Sequence, residues 1–396
     1  MKRYDTAPAP RRRTSRARTL AASAAALLLP QLLAAGPASA LSSAARAQVA
    51  PGVATVTYDL GDRAYRLPGT GEPVEMAATV HYPEELGSTP RPLVVLLHGW
   101  HETCADRSAA AARDAAEQAG DWDAYEAASG KLFSWPCAPG TPRIASERGY
   151  DYLGERLARD GFIVVSLRAN GITASSVSGD ENASARADLI NRHLALWQRL
   201  DATGRGGLAG AFRDADTGKP RRVDFRRHVD LNRVGTLGHS RGGAGVTWHA
   251  ADRHRAQWPA GVDVRAVLAL APAYNVMTED MTAYEITKTP LGVIRGTCDG
   301  QVGREAIPFA TEATARSSAG FHPYEMRGAN HNYFNTRWSP ESGEVAARDD
   351  AGHAEDRPGQ CTEPGGSAYE PQLTEAAQRQ AGAAFIDAFF RRHLTG

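Results

Sequence analysis

Two segments near the beginning of the predicted fold, Val53–Tyr58 and Val74–Tyr82, alternate apolar and polar residues. A two-residue period of this kind indicates half-buried β-strands. The run Leu93–Leu97 is apolar throughout, which is typical of a central parallel strand covered on both faces. Further along the chain, helices are predicted over 150–159, 183–200, 242–254 and 375–393, and strands over 162–167, 234–237, 264–270 and 291–295. This order predicts the α/β class, with a mostly parallel central sheet flanked by helices.

Two segments interrupt the alternation of strands and helices. Residues 101–149 follow the third predicted strand and hold two cysteines, an alanine-rich piece and a turn-rich stretch. Open α/β sheets bind ligands beyond the carboxyl ends of their strands. This insertion is therefore either a cap over a pocket or a disulfide-stapled surface excursion. Residues 339–371 are polar and rich in Gly, Pro and Glu, which indicates a solvated loop.

The first forty residues have the pattern of a secretory signal peptide. Basic residues precede the apolar stretch Leu20–Leu33, and Ala38-Ser39-Ala40 offers a cleavage site. The apolar stretch is too short for a membrane span, and no later segment approaches the roughly 20 apolar residues that a span needs. We therefore expect export by the Sec or the twin-arginine route, a disordered stretch over 41–52, and a single domain over 53–396.

The net charge of the chain argues against nucleic acid as a partner. The full chain has 45 basic and 45 acidic residues, and removal of residues 1–40 leaves 38 and 44, a net charge of −6. This balance lacks the basic footprint of a nucleic-acid-binding protein. The cysteines and histidines show none of the usual zinc-site spacings. We expect no metal, no organic cofactor, no nucleic acid and no stable membrane insertion, and a monomer.

The pentapeptide Gly238-His239-Ser240-Arg241-Gly242 follows the apolar run Val234–Leu237 and precedes further small residues. A serine between two such glycines, at the junction of a buried strand and a helix, is typical of a nucleophile elbow. The small residues let the sharp turn close, and the serine hydroxyl then projects upward from the turn. Ser240 is the predicted nucleophile.

A serine hydroxyl needs a base to accept its proton, and the base needs a third group to orient it. The strand over 290–298 runs into Asp299 on a glycine-flanked turn, and His331 follows the next strand-like run in a Gly/Asn-rich loop. Asp299 and His331 are therefore the predicted acid and base. Competing acids are Glu279, Asp280 and Glu285, and competing bases are His322 and His353. His98 and His239 are expected to pack beneath the turns.

Four places in the chain, His98-Gly99-Trp100, Ser240, Asp299 and His331, resemble the α/β-hydrolase superfamily, which has the same order of serine, acid and histidine. Within it, the chain is most similar to bacterial cutinase-like and dienelactone-hydrolase-like esterases, although Arg241 and the insertion over 101–149 depart from the cutinase-like pattern. The resemblance implies that Ser240 attacks a carbonyl, that His331 acts as base and then acid, and that Asp299 orients it. It also implies an oxyanion hole made by the backbone N–H groups of Trp100 and Arg241.

The function expected from this resemblance is that of an exported serine esterase, which cleaves a small or polymeric ester through an acyl-enzyme intermediate. Two alternative enzymes, an acyltransferase and an amide or peptide hydrolase, would use the same three residues. A non-enzymatic alternative is a binding protein built on the same scaffold. Five aromatic residues either line a substrate pocket or belong to the core: Trp100, Tyr274, Tyr333, Phe334 and Trp338.

The four cysteines are expected to form two disulfides, since an exported chain enters an oxidising compartment. Of the three possible pairings we favour Cys104 with Cys137 and Cys298 with Cys361. The first closes the insertion locally, and the second ties together two segments near the predicted acid.

Overall fold

The computed structural model describes residues 52–274, 281–345, 347, 357, 359–362 and 368–395. Its strands are β1 Val53–Asp59, β2 Tyr65–Arg66, β3 Pro73–Val74, β4 Ala77–Pro83, β5 Arg91–Leu97, β6 Ile163–Leu167, β7 Arg213–Asp214, β8 Val229–His239, β9 Val264–Leu270, β10 Leu291–Gly296, β11 Phe321–Met326, β12 Gln360–Cys361 and β13 Glu370–Pro371. Its helices are α1 Arg107–Ala119, α2 Trp122–Leu132, α3 Asp151–Arg159, α4 Asn170–Thr173, α5 Gly179–Thr203, α6 Arg241–Ala250, α7 Ala306–Ala313 and α8 Glu375–Leu394.

Nine of these strands form one sheet in the order β11-β10-β9-β8-β5-β6-β4-β1-β7. The six strands from β11 to β6 pair in parallel, whereas β4, β1 and β7 add antiparallel pairs at one side. The loops that follow β5, β8, β10 and β11 therefore emerge at the same edge of the sheet. This is the edge at which open α/β sheets hold their ligands.

The apolar run of β5 is explained by helices on both faces of the sheet. Leu93, Val95 and Leu97 belong to one buried cluster, which includes side chains of α5 and α6. Val94 and Leu96 belong to a second cluster, which includes side chains of α3 and α8. The prediction of an α/β protein with a mostly parallel, two-sided sheet is confirmed.

Most predicted elements lie within a few residues of the observed ones. The strand predicted over 74–82 is divided into β3 and β4, and the helix predicted over 242–254 ends at Ala250 and continues as a 3-10 turn. The sequence patterns did not predict α7. The predicted signal peptide, its cleavage site and nearly all of the stretch 41–52 lie outside the described residues.

The insertion over 101–149 contains two helices that pack against each other, α1 and α2. Each helix begins at an aspartate whose carboxylate accepts a backbone N–H, at 2.9 Å from Ala109 to Asp106 and 3.0 Å from Ala124 to Asp121. Such caps satisfy N–H groups that the first turn leaves without partners.

Both predicted disulfides are present. Cys104 pairs with Cys137 and Cys298 with Cys361, with Cα atoms 5.7 Å and 5.6 Å apart. In the segment 339–371, predicted to be a solvated loop, much lies outside the described residues. Cys361 is buried there and belongs to the short β12–β13 pair. No helix in the described part of the chain is long and apolar enough to cross a membrane.

Candidate active site

Ser240 occupies a sharp turn between β8, which ends at His239, and α6, which begins at Arg241. Its backbone has φ 57° and ψ −124°, a region that residues with a side chain rarely adopt. Two backbone hydrogen bonds hold this conformation: Ser240 N–H donates to Leu270 at 2.9 Å, and Ser240 C=O accepts from Ala273 at 3.0 Å. The turn is therefore fixed to the end of the neighbouring strand β9.

The two glycines of the pentapeptide are required by close backbone contacts. A Cβ atom at Gly238 would collide with the Gly242 carbonyl, and one at Gly242 would collide with the Leu97 carbonyl. The turn after β5 is equally close to the serine. A Cβ atom at Gly99 would collide with the Ser240 side chain and would lie only 3.0 Å from its Oγ. The segment His98-Gly99-Trp100 thus lies directly against Ser240.

Asp299 and His331 form a buried hydrogen-bonded pair. Nδ1–H of His331 donates to Oδ2 of Asp299 at 2.8 Å, and both residues are almost completely buried. The other carboxylate oxygen accepts the backbone N–H groups of Gln301 and Val302, at 2.9 Å and 3.0 Å. This arrangement places the proton of the imidazole on Nδ1, so that Nε2 is the basic nitrogen.

His239 connects this pair to the serine turn. Its Nε2–H donates to the backbone carbonyl of His331 at 3.0 Å, and the two imidazole centroids are 4.9 Å apart. On its other nitrogen, Nδ1 accepts the hydroxyl of Tyr150 at 2.8 Å. Burial holds the pKa of His239 well below its usual value, so this ring is neutral. His331 therefore packs on the residue that immediately precedes Ser240.

The loop that carries His331 is held by Gln378 of α8, a contact that sequence reasoning missed. The Gln378 amide accepts the backbone N–H of Asn330 at 2.9 Å and donates to its carbonyl at 2.8 Å. Gln378 is fully buried. The sequence signal for this contact was a polar residue on the buried side of the last helix. No local pattern indicated that its partner lies 48 residues away.

The alternative acids and bases proposed from the sequence either have other partners or lie outside the described residues. Glu285 forms an ion pair with Arg316 at 2.5 Å, and His322 packs against Phe389 and His393. Glu279, Asp280 and His353 lie outside the described residues. Of the described candidates, Asp299 and His331 are the acid and imidazole that the fold joins by a hydrogen bond, and His331 packs on His239, the residue before Ser240.

Trp100 follows Gly99, which lies against Ser240, and Arg241 follows Ser240 directly; neither backbone N–H donates to another described residue. His98 stabilises the turn that carries Trp100. Its Nδ1–H donates to the Gly99 carbonyl at 3.0 Å, and its Nε2 accepts the Ala169 N–H at 2.8 Å. Burial lowers the pKa of His98 to about 3. His98 and His239 are thus buried neutral packing residues, as the sequence predicts.

Arg186 of α5 also stabilises the turn before Trp100, a role that the sequence analysis did not predict. This fully buried guanidinium donates to the His98 carbonyl at 2.8 Å and lies 3.5 Å from the Gly99 carbonyl. It also donates to Thr173 and Asn182. Its described partners are all neutral, and its bonds determine where the turn before Trp100 lies.

Among the aromatic candidates, Tyr274, Phe334 and Trp338 are buried and pack within the protein, whereas Tyr333 is half-buried. Trp100 is 38% exposed, and its ring stacks on Phe133 of the insertion with centroids 4.4 Å apart. The insertion therefore reaches the segment that contacts Ser240.

One group of potential metal ligands occurs in the described part of the chain, Cys298, Cys361 and Glu370, and its two sulfur atoms are joined in a disulfide. Comparisons with known proteins add no family: no protein-family model matches the chain, and no curated protein is significantly similar to it.

Proposed function

We propose that this chain is an exported serine esterase of the α/β-hydrolase superfamily, with Ser240 as nucleophile, His331 as general base and acid, and Asp299 as the group that orients His331. The observation that carries the proposal is the Asp299–His331 pair packed on His239, next to a serine held at positive φ between strand and helix. The order of the sheet and the position of the turn beyond β8 support the superfamily assignment.

In the proposed reaction, Ser240 Oγ bonds to the acyl carbon of the ester while its proton passes to Nε2 of His331. The alcohol leaves with that proton, and an acyl-enzyme remains. Water then attacks the acyl carbon, gives a proton to His331, and releases the carboxylic acid and the free serine. The N–H groups of Trp100 and Arg241 stabilise the oxyanion, and each such donor contributes about 3 kcal/mol to the transition state. Export is supported by the two disulfides, which persist in oxidising compartments.

The experiment is a comparison of the wild type with Ser240→Ala and with Ser88→Ala, an exposed serine distant in sequence. We expect Ser240→Ala to lower kcat/KM on short p-nitrophenyl esters by at least about 10⁴-fold, because the nucleophile is lost. A fluorophosphonate probe should label the wild type and Ser88→Ala only.

Unchanged turnover in Ser240→Ala would refute the assignment of the nucleophile. Product analysis in the presence of an added alcohol separates hydrolysis from acyl transfer, since a transferase forms the new ester in preference to the acid. Matched amide substrates test the leaving-group preference in the same way.

A further inference from the structure

The residue after the proposed nucleophile carries a cation that forms no ion pair within the described part of the chain. The Arg241 guanidinium lies over the Trp100 ring, 5.1 Å from its centroid, and makes no hydrogen bond or ion pair with a described residue. Trp100 stacks in turn on Phe133, so that Phe133, Trp100 and Arg241 form a continuous row from the insertion to the serine turn. We call this row the Arg241 stack.

Burial is incomplete for Arg241 but sufficient to lower its pKa. The nearby Arg186 has its pKa lowered to about 9, chiefly by burial and further by the charge of Arg241. Both guanidinium groups remain positive at neutral pH, and neither has a carboxylate partner among the described residues. Two positive charges therefore lie close together near the serine turn, and among the described residues Glu75 is the carboxylate whose charge acts on Arg186.

A half-buried charge without a partner is costly, whereas a planar guanidinium is well suited to bind a carboxylate through two hydrogen bonds. The stack on Trp100 limits the positions that the Arg241 side chain adopts and reduces the entropy lost on binding. The guanidinium N–H groups make no hydrogen bond with a described residue, so they are available to a bound molecule. An anionic group of a bound molecule would supply a counterion that the described residues do not supply.

We propose that Arg241 selects esters that carry a carboxylate close to the scissile bond. This inference rests on the proposed function, because it names the substrate class of the same site. The carboxylate belongs either to the acyl group, as in a half-ester of a dicarboxylic acid, or to the alcohol. In both cases the Arg241 side chain binds it while the Arg241 backbone N–H serves the oxyanion.

Two pairs of probes separate these sources. Mono-p-nitrophenyl succinate against p-nitrophenyl butyrate tests a carboxylate on the acyl side, and 4-butyryloxybenzoate against phenyl butyrate tests one on the alcohol side. The measured quantity is the ratio of kcat/KM for the charged ester to that for its neutral partner, after correction for the uncatalysed rates. We expect a ratio above 1 in at least one pair, decreasing as salt concentration rises.

The ratio should fall about tenfold or more in Arg241→Gln, as expected when a charge-assisted hydrogen-bonded pair is lost, and should be partly retained in Arg241→Lys. Arg265→Gln is the matched control, since Arg265 is an exposed arginine near the amino end of β9, away from the serine edge. Binding to Ser240→Ala, measured by calorimetry with the favoured charged ester, should weaken when Arg241→Gln is added.

Equal ratios in the wild type and Arg241→Gln, with both neutral esters still cleaved, would overturn the inference and leave the esterase assignment intact. Failure of the wild type to cleave any of the four esters or to react with a fluorophosphonate would overturn both. A ratio that falls equally in Arg265→Gln would also overturn the inference, because the effect would then follow from net charge.

Discussion

At the scale of single residues, Ser240 is held in a backbone conformation that favours glycine. Its φ of 57° is imposed by hydrogen bonds to Leu270 and Ala273 on the neighbouring strand and its following turn. A residue with a Cβ atom in such a region costs the folded state of order 1 kcal/mol or more. The proposed nucleophile therefore reduces the stability of the protein that contains it.

We expect Ser240→Gly to be more stable than Ser240→Ala by about 1 kcal/mol, although neither variant has a nucleophile. Both variants lack the hydroxyl, so the difference in their free energies of unfolding reports the effect of the Cβ atom alone. Urea unfolding measures the difference. The same pair of substitutions at Ser88, whose φ is not positive, should show no gain from glycine. A Ser240→Gly variant less stable than Ser240→Ala would contradict this account of strain.

At the scale of elements, α5 positions the turn that faces the serine. Arg186 donates to the His98 carbonyl and to the Thr173 hydroxyl, and a Cβ atom at Gly245 of α6 would lie 2.6 Å from the Arg186 Cβ. Glycine at that position lets α5 and α6 approach closely enough for the guanidinium to reach the turn after β5. Two helices and one strand thus meet at a single buried side chain.

We expect Arg186→Met to lower kcat by at least about tenfold with little change in KM, because a misplaced oxyanion donor is felt mainly in the transition state. Arg186→Lys should recover part of the loss. Arg192→Met, on an exposed position of the same helix, serves as the control. Steady-state kinetics and circular dichroism are measured together. If KM rises while kcat is unchanged, Arg186 does not position an oxyanion donor.

At the scale of the whole molecule, the antiparallel side of the sheet is joined to the parallel side through a buried carboxyl group. Glu75, between β3 and β4, accepts the N–H groups of Asn170 and Gly171 at 2.6 Å and 2.9 Å. Burial raises its pKa to about 7, against the opposing effects of these hydrogen bonds and of Arg168. The folded protein therefore binds a proton at Glu75 more tightly than the unfolded chain does.

This shift predicts a stability that changes with pH. The contribution of Glu75 protonation is fully present below about pH 4.5 and is lost as pH rises through about 7, because the folded state then must ionise a buried group. The free energy of unfolding of the wild type, relative to that of Glu75→Gln, should fall by up to about 3 kcal/mol between pH 5 and pH 8. Urea unfolding at several pH values measures it, with exposed Glu84→Gln as control. A difference that does not vary with pH would contradict the prediction.

Sequence reasoning recovered the parts of the molecule that depend on local pattern. The alternation of β1, the apolar run of β5 and the pentapeptide around Ser240 each reflect contacts or conformations set within a few residues. The pairings of the four cysteines were also predicted, from their proximity to each other along the chain and to the acid.

The contacts that hold the site together were beyond the sequence patterns. Arg186 and Gln378 act on turns 88 and 48 residues away, and a buried arginine has no local signature that distinguishes it from a solvated one. The short α7 is another element that was missed, since two helical turns give too little periodicity to recognise. The packing of Phe133 on Trp100 likewise depends on how the insertion folds.

The hydrogen bonds between Gln378 of α8 and the loop that carries His331 form late, because α8 is the last element to be synthesised. The ribosome makes the chain from β1 onward, so Ser240 and Asp299 are complete before Gln378 exists. A nascent chain that ends before residue 378 lacks both bonds to Asn330, the residue that precedes the proposed base. The loop that carries His331 therefore gains its full set of hydrogen bonds only once the last helix has been made and has docked.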